Sequence, residues 1–154
     1  MTSARRPLAG RTLLVVGAAD PVAHSVALHA AARGAVVVAA GPEVPPVILT
    51  AGLIAATGAV GRVVEEAAPP LLGAALVRAA VAALGPSAQP ITDVVVADAV
   101  FATPAAAAAA GADLVAALPP ATRLHRAEAS PADGPRAAGR RIVDGLLAPP
   151  GPTR

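Results

Sequence analysis

The 154 residues contain no lysine, tyrosine, tryptophan or cysteine, and a single phenylalanine, Phe101. Each absence removes a chemistry. Without cysteine there is no disulfide, no thiolate catalysis and no cysteine-ligated zinc. With one aromatic side chain there is no stacking platform for single-stranded nucleic acid, and no basic stripe interleaves with aromatics, so nucleic acid is excluded as a partner. Without lysine, arginine supplies all 12 basic charges. The net charge of +2 is small, so the pI near 11.0 reflects the arginine side chain itself, not a strong positive field. The prominence of Ala, Gly, Pro, Val and Arg matches GC-rich codons, which accounts for arginine in place of lysine without a functional cause.

What is present is aliphatic. Hydrophobic residues make up 55% of the chain and the mean hydropathy is +0.64. A chain of this length fits one domain and one core. That core must be built from Ala, Val and Leu, at roughly 25 cal/mol per Å² of buried apolar surface. The surplus of apolar over charged residues predicts that some apolar surface is covered by a second copy or by a partner protein. Two stretches have the outline of membrane signals. Arg5 and Arg6 precede a short apolar run, as in a twin-arginine export signal, but Asp20 and Pro21 interrupt it. The uncharged run Val44–Gly61 carries Pro45, Pro46 and three glycines and lacks an aromatic belt, so it reads as a buried helix leading into a strand. No membrane association is expected, and the lack of cysteine is compatible with a cytoplasmic location.

The elements follow a regular rhythm. Thr12–Val16 is a continuous apolar run suited to a strand buried on both faces. Gly17 to Asp20 form a turn, Asp20 is placed to cap a helix, and Pro21 falls at its first position. The helix runs from Val22 to Arg33 and stops at Gly34. A second strand covers Ala35–Ala39. A helix from Pro42 to Thr57, a weaker strand over Ala59–Val64, a helix over Leu71–Leu84 and a strand over Ile91–Ala97 complete a βαβαβαβ pattern. It predicts a doubly wound parallel α/β sheet of four to five strands, with helices on both faces. Around this core at residues 11–100, residues 1–10 read as a leader. Residues 101–147 read as an Ala-rich helix over Ala105–Leu118, an irregular stretch over Ala121–Pro135 and an amphipathic helix over Ala137–Leu147. Residues 148–154 read as a disordered tail. A four-stranded sheet would leave one edge open, to be covered by the segment after Val100 or by a second copy.

From about Leu8 to Val100 the chain resembles the short-chain dehydrogenase/reductase family. The resemblance rests on LAGRTLLVVGAAD, the helix VAHSVALHAAARGA, the strand VVVAA, the helix LLGAALVRAAVAALG and the strand ITDVVVADAV. It implies a truncated Rossmann-like sheet and a site for NAD or NADP, with Gly17, Val22 and Ala99 as the cofactor-binding positions. The family's turn reads Thr-Gly-x-x-x-Gly-x-Gly; here the register gives Val16, Gly17, Ala18, Ala19, Asp20, Pro21, Val22, Ala23. Only Gly17 is kept. Ala23 is a mild change, whereas Pro21 fixes φ and deletes an N–H that could meet phosphate, and Asp20 brings a carboxylate near the anion. At the end of the second strand Ala40 and Gly41 replace the acidic residue that would hold a ribose, and Glu43 is the nearest substitute. Where the family carries Asn-Asn-Ala-Gly, this chain has Ala97, Asp98, Ala99 and Val100.

The family's reaction uses a tyrosine as general acid/base, a lysine four residues later that lowers its pKa, and a serine that holds the carbonyl. With neither tyrosine nor lysine, and a chain about a hundred residues shorter than the family's, that hydride transfer is excluded. Of the three histidines, His24 and His29 lie about 140° apart on one helix and cannot share a metal. His24, in the first turn of its helix, reads as solvent-facing or else as facing a ligand; His125 reads as part of a solvated loop with Arg123, Arg126 and Glu128, or else as half of a hydrolytic His–carboxylate pair; Glu65 and Glu66 read as facing water. Asp98 sits where open α/β sheets bind ligands, or caps the turn that follows it. The sequence therefore points to a degenerate relative of the family, without a catalytic set and with at most weak NAD(P) affinity. The alternatives are a non-catalytic structural or regulatory subunit, and an enzyme of another class that uses His125 or Asp98.

Overall fold

A computed structural model describes residues 6–18, 20–41, 44–56, 61–65, 73–86, 89–98, 101, 103–128 and 134–147. Ten elements follow one another as β1 (Thr12–Val16), α1 (Pro21–Ala32), β2 (Val36–Gly41), α2 (Val44–Ala56), β3 (Gly61–Glu65), α3 (Ala74–Leu84), β4 (Asp93–Ala97), α4 (Pro104–Ala116), β5 (Arg123–Ala127) and α5 (Gly134–Leu147). The strands form one parallel sheet in the order β3-β2-β1-β4-β5. The expected doubly wound α/β architecture is what the chain adopts, with the strand number at the upper end of the expectation.

The sheet is central because its middle strands are apolar on both faces. Side chains alternate along a strand. Leu13 and Val15 of β1, Val37 and Ala39 of β2 and Val95 of β4 therefore face one way. They pack beneath α1, Ile54 of α2 and the buried residues Ala138, Val143 and Leu146 of α5. Leu14, Val16, Val38, Val94 and Val96 face the other way, beneath Leu76, Val77 and Ala80 of α3 and Leu114 of α4. Leu8, in the segment read as a leader, is fully buried in the first of these cores. Its N–H donates to the Arg33 carbonyl oxygen at 2.9 Å.

The stretch after Val100 departs from the sequence reading in one respect. Residues 123–127, read as part of an irregular segment, form β5, which pairs with β4 from Asp93↔Arg123 to Ala97↔Ala127. The strand was hidden because it lies at the edge of the sheet, and Arg123, His125 and Arg126 give it a polar face in place of an apolar run. β5 covers the edge of β4 that a four-stranded sheet would leave bare. A further parallel strand beyond β5 would require a right-handed crossover on the α3/α4 face. α5 lies instead on the α1 face, so β5 is the outer strand among the described residues. The 148–154 tail lies outside the described residues, and no helix among them is long and apolar enough to cross a membrane.

Candidate functional site

In an open α/β sheet the ligand end is the carboxyl end of the strands, beside the turn between β1 and α1. Here Gly17 adopts φ +83°, a left-handed conformation that a side chain would strain. The N–H groups of Gly17 and Ala18 both donate to the Ala40 carbonyl oxygen, at 2.7 and 2.9 Å, which ties the turn to the end of β2. Asp20 then caps α1. Its Oδ2 accepts from the N–H of Val22 at 2.9 Å and of Ala23 at 3.1 Å. The His24 N–H donates to the Asp20 carbonyl oxygen at 2.8 Å, and Pro21 has no N–H to give.

That inventory decides whether a dinucleotide fits. A pyrophosphate at a helix N-terminus is held by free backbone N–H groups and by the positive end of the helix dipole. In this chain every first-turn N–H is already engaged, and the group that engages two of them is a carboxylate. The residues do not fit the pyrophosphate of NAD or NADP in the family's manner. The expected binding positions fall accordingly: Gly17 shapes the turn, the Val22 N–H is taken by Asp20 while its side chain is buried in the core, and Ala99 lies outside the described residues. Glu43, Glu66 and Val100 also lie outside them. Ala40, at the end of β2, is fully buried and offers nothing to a ribose.

Two other residues at this end behave differently from their sequence readings. His24 is half-buried and does not simply face water; its Nδ1 lies 2.9 Å from Thr50 Oγ1. Thr50, itself buried in α2, donates to the Ala18 carbonyl oxygen at 3.4 Å, so the pair braces the same turn. The Asp98 side chain does not cap the following turn. Arg126 of β5 grips it with both arms, Nε to Oδ1 at 3.0 Å and Nη2 to Oδ2 at 2.8 Å. The Asp98 contact raises the Arg126 pKa above its ordinary value. Beside it, Arg126, Glu128, Ala138, Arg141 and Ile142 line a shallow cleft of about 240 Å³.

His125 is not part of a solvated loop: it belongs to β5, and its Nε2 lies 3.2 Å from Oδ1 of Asp93. Asp93 opens β4 at the opposite end of the sheet, with its side chain fully buried. Arg11, just before β1, donates from Nε to Asp93 Oδ2 at 3.0 Å and from Nη2 to Oδ1. Arg123 donates to Oδ1 at 3.3 Å and Thr92 to Oδ2 at 2.7 Å. The two arginines also donate to the Leu146 carbonyl oxygen near the end of α5, at 2.6 and 3.0 Å. Burial works to raise the Asp93 pKa, but the hydrogen bonds from His125, Arg11 and Thr92 and the Arg11 charge outweigh it and hold the carboxyl well below the usual range. This network lies away from the ligand end and is fully committed to the protein's own groups. Asp93 carried no role in the sequence reading. The available signal was an acid opening an apolar strand, which requires a buried cationic partner. Among the described residues no group of His, Asp and Glu is placed to hold a metal ion.

No protein-family model matches the sequence, and no curated protein matches it. Solved structures do. A short-chain type dehydrogenase/reductase from Mycobacterium marinum aligns over 60% of this chain and 36% of its own, at 22% identity and a TM-score of 0.50. A protein assigned as a short-chain alcohol dehydrogenase from Sinorhizobium meliloti 1021 aligns over 92% of this chain and 66% of its own, at 19% identity and a TM-score of 0.58. A double mutant of a short-chain dehydrogenase/reductase from Serratia marcescens aligns over 91% and 65%, at 16% identity and a TM-score of 0.57. The alignments thus span between 36% and 66% of the length of these proteins. With its strand order, its helices on both faces and these neighbours, the chain has the fold of the short-chain dehydrogenases/reductases.

Proposed function

We propose that this chain is a non-catalytic protein on a dehydrogenase scaffold, with no hydride-transfer activity and only weak affinity for NAD or NADP. The observation that carries the reading is the Asp20 carboxylate on the Val22 and Ala23 N–H groups, which occupies the donors a pyrophosphate would need. The composition supports it, since a chain with neither tyrosine nor lysine cannot supply the family's acid–base pair. Without phosphate contacts, binding falls to the adenosine and nicotinamide surfaces, and a dissociation constant above about 1 mM is expected. The lack of cysteine fits work in a reducing cytoplasm.

The role that remains is that of a subunit. Ile48, Leu49 and Leu53 are 51%, 62% and 40% exposed on α2, and residues 44–56 contain no charged group. An uncharged face meets its own copy without repulsion, and two-fold pairing is the commonest assembly, so a second copy of this chain is the expected occupant. Titration calorimetry with NAD⁺, NADH, NADP⁺ and NADPH tests the first part. Flat traces are expected, and a sub-millimolar dissociation constant for any of the four overturns the reading. Light scattering tests the second part: a dimer that Leu49→Glu converts to monomer is expected, and a wild-type monomer removes the subunit role.

A further inference from the structure

Helices α3 and α4 connect parallel strands, so both run back against the strand direction and finish at the amino end of the sheet. Between their last turns lies a cavity of about 320 Å³, at the small end of the range for small-molecule sites. Val77, Val81 and Leu84 line it from α3, Leu118 from the end of α4, and the buried Ile91 from the approach to β4. None of the described residues that line it is charged. Val81 is 52% exposed, a large apolar side chain left in the open at this cavity.

The two helix ends that meet here are electrostatically uncompensated. A helix C-terminus leaves carbonyl oxygens without donors and carries the negative end of the dipole. At the end of α3 the Gly85 N–H donates to the Val81 carbonyl oxygen at 3.1 Å, and Pro86, four residues after Ala82, has no N–H for the Ala82 carbonyl. At the end of α4 the Ala117 N–H donates to the Leu114 and Val115 carbonyl oxygens, and the Leu118 N–H to Val115 at 3.1 Å. Pro119 and Pro120, which stand where donors to the Ala116 carbonyl belong, have no N–H. A basic side chain in the last turn offsets such an end, and neither helix has one there. Arg78, the basic residue of α3, stands six residues before its end. α4 instead carries Asp113 in its last turn, where a carboxylate adds to the negative field.

An apolar cavity between two such ends favours one kind of ligand. An anion is repelled by the rim. A neutral apolar molecule gains the walls and nothing from the rim. An organic ammonium ion gains both, because its carbon body removes Val, Leu and Ile surface from water while its N–H groups meet the carbonyl oxygens. We propose that the cavity between the C-terminal ends of α3 and α4 binds a small organic ammonium ion with an apolar body. The site lies at the opposite end of the sheet from the β1–α1 turn and on the opposite face from α2, so it depends neither on the loss of dinucleotide binding nor on pairing through α2.

The test is an NMR titration of the intact chain, labelled at its valine, leucine and isoleucine methyl groups, at constant ionic strength and neutral pH. The probes are hexylammonium, hexanol and hexanoate, which share one carbon body and differ in charge. Hexylammonium is expected to give saturable shifts at Val81, Leu84 and Leu118 and to bind about fivefold or more tighter than hexanol, the gain that two helix ends together supply. Hexanoate is expected to give no saturable shift. Ala117 is an exposed lining residue at the end of α4. Ala117→Lys places a cation there and is expected to weaken hexylammonium binding about fivefold or more. Ala117→Met, of similar length without the charge, is expected to leave it within about twofold. Equal binding of hexanol, saturable binding of hexanoate, hexylammonium shifts that do not saturate or fall elsewhere in the chain, or the same response in both variants overturns the proposal.

Discussion

The two ends of the sheet each hold an aspartate in an arginine's grip, and they use it differently. At the carboxyl ends of the strands Asp98 pairs with Arg126, with their side chains 21% and 34% exposed. At the amino ends Asp93 is fully buried and joins β1, β4, β5 and the last turn of α5 through Arg11, Arg123 and His125. The first is a surface pair in high dielectric, and the second is a buried carboxylate with every oxygen engaged. Ligands of open α/β sheets bind at the carboxyl ends, yet among the described residues the free amides of the first turn of α1 are taken by Asp20, and the denser polar network is at the other end. The electrostatics of this chain assemble the sheet more than they serve a ligand.

Breaking the amino end has the largest expected effect. Asp93→Asn keeps the shape and removes the charge, leaving Arg11 and Arg123 without their counter-ion. Loss of one partner of a buried network costs about 3–5 kcal/mol, read as a lower urea midpoint. A loss below about 1 kcal/mol erases the contrast with the carboxyl end. The same residue sets an acid limit. Its folded pKa is depressed below the unfolded value of about 3.9, so its contribution is complete above about pH 4 and is lost as the pH falls further. Denaturation curves of the wild type are therefore expected to weaken with acidification in that window, and Asp93→Asn to lack this component.

Asp20→Ala is the intermediate case. Removing an N-cap acid costs about 1 kcal/mol. It also releases the Val22 and Ala23 N–H groups, which sharpens the comparison by asking what closes the ligand end. If the carboxylate is what excludes the pyrophosphate, Asp20→Ala gains measurable NAD(P) binding by calorimetry. Continued flat traces assign the exclusion to Pro21 and the buried Ala18 and Ala23.

How much of this could be read beforehand follows from where each signal lies. β1, β2 and β4 announced themselves as runs of Leu and Val because both of their faces are buried. Asp20, Pro21 and Gly34 marked the limits of α1 through local backbone chemistry. β5 was illegible because an edge strand with Arg, His and Arg has no apolar period. The Asp93 network was illegible for another reason: Arg11, Asp93, Arg123 and Leu146 are far apart in sequence, and only the parallel register of β1, β4 and β5 brings them together. At the ligand end the eroded turn is plain in Pro21 and Asp20, but the capture of the Val22 and Ala23 amides by Asp20 depends on the rotamer the carboxylate adopts in the folded turn. His24 and His125 were misplaced because their partners, Thr50 and Asp93, come from other elements.

The smallest effect belongs to the pair at the carboxyl end. Arg126 reaches Asp98 with good two-armed geometry, and its Nη2 also approaches the Pro104 carbonyl oxygen at 3.4 Å. Both side chains remain partly in solvent, so their attraction is screened and is offset by the entropy of holding a long arginine side chain in one rotamer. A double-mutant cycle with Arg126→Met and Asp98→Asn is expected to show coupling close to the error of the urea midpoint, and salt should remove what remains. The same cycle between Arg11 and Asp93 is expected to give a large coupling that survives salt, because one member is wholly buried. If the Asp98 cycle matched the Asp93 cycle, Asp98 would be as structural as Asp93, and the carboxyl end would be locked as firmly as the base. A weak pair instead leaves Arg126 able to turn toward the cleft it lines with Glu128 and Arg141, so the ligand end retains a movable cation even though its phosphate turn is shut.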